Sequence, residues 1–206
     1  MNDLDAEELF HLALKASDEG DREKSISYLK KSIALEPEAN SLYILAAEYA
    51  ELGMMHRATE LMRQALELNP ELWTAWFQLG LLYLSQNYVQ EARTAWDNLI
   101  ELGEEDYLFH LATGMNLLID EKIEESLVSL ARGIEMNDDN PALNGDVTNI
   151  INSVLESTDD ISLDMADQVE AQPDAEAEKL AAAETGDADE KARKQHLLVS
   201  KYGSNQ

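Results

Sequence analysis

The sequence predicts an all-α chain: an α-solenoid of about four helix–turn–helix repeats, a capping helix, and a mostly disordered acidic tail. Three observations predict this. Small residues recur at Ser25, Ala58, Ala92 and Ser126, at steps of 33, 34 and 34 residues. Four residues after each stands a large one: Leu29, Met62, Trp96 and Leu130. Finally, residues 157–190 carry 12 acidic side chains against 1 basic one and no aromatic, so they cannot bury enough apolar surface to offset their ordering entropy.

The elements follow in order. Unit one, residues 6–38, places Leu9 and Ala13 on its first helix and Ser25 and Leu29 on its second, and closes at Pro37. Unit two, 39–72, repeats this with Leu42, Ala46, Ala58 and Met62 and closes at Pro70. Unit three, 73–106, has Trp76, Gly80, Ala92 and Trp96; unit four, 107–140, has His110, Gly114, Ser126 and Leu130. Two antiparallel helices approach closely only where one offers a small residue to a bulky one on the other, which gives Gly80 and Ala92 their place beside Trp76, Tyr83 and Trp96. No unit can bury its apolar face alone, so the units stack. Residues 141–156 read as the covering helix, with Pro141 in its first turn and Leu143, Val147, Ile150, Ile151, Val154 and Leu155 at helical spacing. The face carrying Asn144, Asp146, Asn149, Asn152 and Ser153 is polar, as a cap against solvent requires. Residues 157–190 read as a linker with transient helix around Ala175 to Ala183, and residues 191–206 as a basic, apolar C-terminal segment.

Charge and composition narrow the function. Fifteen Lys and Arg against 42 Asp and Glu give a net charge of −27, which would repel nucleic acid and anionic membranes. Absence of cysteine removes disulfides, thiolate metal sites and thiol nucleophiles. The start, MNDLDAEELF, has neither the charge nor the apolar run of a signal or a membrane span, so the expected compartment is the cytoplasm. No phosphate-binding loop, nucleophile elbow or zinc-helix pattern occurs, and no enzyme, cofactor or metal is expected. Glu104-Glu105-Asp106 and Asp138-Asp139 fall at expected inter-repeat turns without the spacing of a calcium loop. His110 stands alone on a packing face, where a satisfied structural role is expected rather than a ligand or base.

Unit three reads Trp76-Phe-Gln-Leu79-Gly80-Leu-Leu-Tyr83, then Ala92 and Trp96, and closely resembles the tetratricopeptide repeat pattern W-x2-L-G-x2-Y … A-x3-F. Units one and two resemble it well. Unit four departs, with His110 in place of Trp, Thr113 in place of Leu and Asp138 in place of the closing Pro.

The resemblance implies that the first helices line a groove. The residues beside the packing positions there are Phe10, Leu14, Tyr43, Ala47, Phe77, Leu81, Leu84, Leu111, Met115 and Leu118, an apolar stripe. Such a helix, apolar nearly all round, can also simply be buried. If open, the stripe suits an apolar helix or peptide of another protein. The first helices of units two to four contain no Lys or Arg, so the carboxylate clamp of repeat proteins that hold chaperone tails is missing. The expected function is therefore a non-catalytic protein-binding module, an adaptor or co-chaperone. Two alternatives are a chaperone like those of bacterial secretion systems and an acidic scaffold subunit of a larger complex. In 191–206, Leu197, Leu198 and Tyr202 share one side of a helix and mark a recognition segment. The sequence leaves the partner and the oligomeric state open.

Overall fold

The computed structural model describes residues 4–170, with side chains through Ser157. Among these residues there are nine α-helices and no strand. They are α1 (Ala6–Asp18), α2 (Arg22–Leu35), α3 (Ala39–Glu51), α4 (Met55–Leu68), α5 (Trp73–Ser85), α6 (Val89–Ile100), α7 (Tyr107–Ile119), α8 (Ile123–Met136) and α9 (Pro141–Glu170). They fall into two compact units, one holding α1–α6 and ending at Glu101, the other beginning at Leu102 and holding α7–α9.

In the first unit, α1/α2, α3/α4 and α5/α6 pair, and α2 meets α3 as α4 meets α5. In the second unit, α7 pairs with α8 and α8 meets α9. The expected helix-pair fold is the observed one.

Each pair turns in the same way. The first helix ends in a left-handed residue, Gly20 (φ 76°), Gly53 (φ 72°), Asn87 (φ 64°) or Glu121 (φ 62°). The next residue's N–H reaches the carbonyl five positions back: Asp21 to Ala16 at 2.8 Å, Met54 to Tyr49 at 2.8 Å, Tyr88 to Tyr83 at 2.9 Å and Lys122 to Leu117 at 3.0 Å. This is the Schellman geometry, which satisfies carbonyls left over at a helix end and reverses the chain in a few residues.

Small-to-large packing closes the pairs. A Cβ on Gly80 would lie 2.1 Å from Trp96 Nε1, and one on Gly114 would lie 2.6 Å from Leu130 Cγ. Trp96 is fully buried, and its indole N–H donates to Phe77 O at 3.1 Å, so burial leaves no donor unpaired. His110 fills the place of Trp76 one repeat later. Trp76 Nε1 donates to Pro70 O at 2.9 Å, and His110 Nε2 lies 2.9 Å from Glu104 O, six residues back in both cases. The imidazole therefore ties down an inter-repeat turn, as the indole does.

The end of the chain differs from expectation. Asn140 caps α9 by accepting from Leu143 N at 3.1 Å, and Leu143, Val147, Ile150 and Val154 are buried as expected. Leu155 is exposed, and Asn144, expected on the solvent face, instead exchanges two 2.8 Å bonds with Asn137. The helix runs on past Glu156 to Glu170, into the stretch read as linker. Residues 171–190, with the transient helix expected at 175–183, and the segment 191–206 lie outside the described residues.

Candidate functional site

The expected stripe divides into an open part and a buried part. On α1, Phe10 and Leu14 are half-buried; on α3, Tyr43 is half-buried and Ala47 exposed; on α5, Leu81 is half-buried. Phe77, Leu84, Leu111, Met115 and Leu118 are buried, and the groove reading is corrected for these five: they are core.

The cause is chemical. Helix α1 alternates apolar with charged positions, so one face is bound to meet water, whereas α5 (WTAWFQLGLLYLS) and α7 (YLFHLATGMNLLI) are apolar nearly all round. Phe77 lies against Trp96, ring centroids 6.2 Å apart. Leu111 enters the space left by Gly133 on α8, where a Cβ would stand 2.4 Å from Leu111 Cδ2. Gly133 repeats the register of Ser32 and Ala65, both small and buried, although the large Leu99 holds that place in the third pair; the lack of a side chain at Gly133 carried a signal that Leu111 turns inward.

The open face is held in shape by polar contacts at both of its ends. Asp5 and Glu8 form a capping box at the start of α1, with bonds of 2.8 and 3.1 Å. At the other end Glu48, a carboxylate only 7% exposed, accepts from Ser17 Oγ at 2.8 Å and Arg22 Nε at 3.0 Å, while Arg22 Nη2 lies 3.6 Å from Glu51. A buried carboxylate held this way joins α3 to the turn between α1 and α2, and stripping one partner from it leaves an uncompensated charge. A search for apolar positions alone passes over Glu48. The signal was available, since it is one of only two charged residues in ANSLYILAAEYAE.

Two clefts adjoin these elements. One, of about 550 Å³, lies beside Phe10 and His11 and is rimmed by Asp5, Glu7, Glu36 and Glu38. The other, of about 560 Å³, lies among α4, α5 and α6 and is lined by Leu66, Trp76, Leu79 and Tyr83, with Arg63 and Glu91 beside them.

The remaining sequence candidates have structural uses. Asp106 caps α7 by accepting from Leu108 N at 2.8 Å, and Asp138-Asp139 lie in the link between α8 and α9. Among the described residues no group of three or more His, Asp or Glu could hold a metal ion, and no helix is long and apolar enough to cross a membrane. Leu197, Leu198 and Tyr202 lie outside the described residues.

Comparison with known proteins agrees with the geometry. The sequence profile of the tetratricopeptide repeat matches residues 9–38 and 39–72. No curated protein matches the chain. Among solved structures, a crystal structure of MamA is 23% identical with a TM-score of 0.54, covering 64% of this chain and 77% of that one. MamA from Desulfovibrio magneticus RS-1, residues 41 to the end, is 16% identical with a TM-score of 0.53, covering 82% and 97%. YrrB, described as a TPR protein with an unusual peptide-binding site, is 18% identical with a TM-score of 0.52, covering 65% and 70%. At these identities the likeness speaks for the fold, and it agrees with the two matched repeats, the 33- and 34-residue steps and the four identical turns. Residues 9–38 and 39–72 are thus matched as two tetratricopeptide repeats, in a chain whose later helices continue as helix pairs.

Proposed function

We propose that this chain is a non-catalytic adaptor or co-chaperone that holds an apolar helix or extended peptide of another protein against the open face of α1 and α3, with Leu81 of α5 extending it. The observation that carries this reading is that Ala47 is exposed and Phe10, Leu14, Tyr43 and Leu81 are only half-buried at equivalent register positions, on helices where α3 and α5 hold no Lys or Arg. Apolar side chains left in water on successive helices gain by being covered, and a peptide segment covers them without disturbing the pairs beneath. The peptide-binding site of YrrB, a protein of the same fold, supports the same class of ligand.

The test replaces Tyr43→Glu and, separately, Ala47→Glu in the full chain and compares the proteins that co-purify from the native cell. Unchanged far-UV circular dichroism with loss of the captured partner is the expected result, because a charge facing an apolar ligand is left unpaired on binding. Unfolding of both variants would make the face core. Capture retained by both, but lost in about 0.5 M salt, would favour the acidic-scaffold reading, since exposed charge pairing is screened at that ionic strength.

A further inference from the structure

The junction between successive helix pairs occurs twice within the first compact unit: α3 meets α2 and α4, and α5 meets α4 and α6. The two junctions differ in charge. At the first, Tyr49 of α3 is buried and carries two cations, with Lys30 Nζ of α2 at 5.6 Å and Arg57 Cζ of α4 at 5.9 Å from its ring centroid. At the second, the residues in the same register are Arg63, Tyr83 and Glu91, at steps of 33, 34 and 34 residues. The cation on the later helix is thus replaced by a carboxylate. Four residues farther along that helix, Leu61 of the first junction is replaced by Ala95.

An open cleft lies at the second junction. Its volume is about 560 Å³, it is lined by Leu66, Leu79 and Ala95, and the half-buried rings of Trp76 and Tyr83 stand in it. Of its charged groups one is a cation, Arg63, and two are carboxylates, Glu67 and Glu91. Among the described residues neither carboxylate has an ion-pair partner, and no cation lies over Tyr83 as two lie over Tyr49. The second junction therefore keeps the aromatic ring and lacks the guanidinium that covers it at the first. A guanidinium suits both groups at once, because its flat face stacks on a phenol ring while its edge donates to a carboxylate.

We propose that the cleft among α4, α5 and α6 is a second binding site, which takes an arginine side chain of a protein partner: its guanidinium on Tyr83 and against Glu91, and an apolar neighbour of that arginine on Leu66, Leu79 and Trp76. The partner's arginine thus stands where the chain supplies Arg57 to itself one repeat earlier.

The test titrates the full isotope-labelled chain with the capped tripeptide acetyl-Leu-Arg-Leu-amide at millimolar concentrations and follows NMR shifts. Saturable shifts are expected at the Trp76 indole N–H, the Tyr83 ring and the amides of α4 and α6 beside the cleft. The same peptide with citrulline, equal in shape but uncharged, should bind more weakly by about threefold to tenfold, as should the arginine peptide to Tyr83→Leu. Glu91→Arg, an exchange at an exposed position, supplies the missing cation from the chain itself and should abolish the shifts. Absence of saturable shifts at the cleft would overturn the proposal, as would equal binding of the citrulline peptide or undiminished binding to Glu91→Arg. Shifts confined to the acidic cleft beside Phe10 would assign the cation to the other face and overturn it equally. Trp76, Tyr83 and Glu91 are no part of the face formed by Phe10, Leu14, Tyr43, Ala47 and Leu81, so failure here leaves that face standing, and loss of that face leaves this site standing.

Discussion

Glu121 occupies a backbone position that its side chain makes costly. The equivalent residues Gly20 and Gly53 reach φ above 70° freely, and Asn87 tolerates the left-handed region, but Glu121 holds φ 62° with a Cβ to accommodate. Its Oε1 is also buried without a hydrogen-bond partner. Replacing Glu121→Gly should therefore raise stability by about 0.5–1 kcal/mol, read as a higher urea midpoint. Gly53→Ala should lower it by about 1 kcal/mol, through backbone strain introduced at φ 72°. A Glu121→Gly midpoint at or below that of the parent would show that the Glu side chain makes a compensating contact. The 33- and 34-residue steps of the small and large residues were legible in the sequence, whereas this fourth turn was not, because Glu is a poor marker of a left-handed residue and only the period locates it.

At the scale of the helix, glycine has opposite meanings in different elements. Gly80 admits Trp96, and a methyl group there overlaps the indole, so Gly80→Ala should cost about 1–3 kcal/mol despite its better helix propensity. Gly145, within α9, has nothing within 4 Å of the place a methyl group would take, so Gly145→Ala should stabilise by about 0.5–1 kcal/mol. Thermal melts of the two variants shifting in the same direction would contradict this account. The pairing of Gly80 with Trp96, and of Gly114 with Leu130, could be read from the sequence because each joins an extreme of size to its opposite at a fixed step. Which face of α5 and α7 meets water could not. A helix with apolar residues on all sides offers no polar side to mark solvent, so the sequence alone puts Phe77, Leu111 and Met115 in the groove although they are core. The far end of α9 was hidden for a different reason. Ile161, Met165 and Val169 recur every four residues, as in a helix, but within a stretch so acidic that composition outweighed period.

Over the whole molecule, stability in a repeat protein is close to a sum of local terms, with each pair supported by its neighbours. The chain's two compact units, α1–α6 and α7–α9, are therefore free to differ in how readily they open. All the tryptophans of the chain, Trp73, Trp76 and Trp96, stand on α5 and α6, and Trp96 is sealed inside its pair. Tryptophan emission, excited where tyrosine does not absorb, is consequently a reporter for the first unit alone, blind to α7, α8 and α9, whereas far-UV ellipticity counts every helix. Urea melts followed by the two signals should separate if the units unfold independently, and the segment of the ellipticity curve without a matching emission change then belongs to the second unit. Superimposable curves would mean that the chain melts as a single cooperative block.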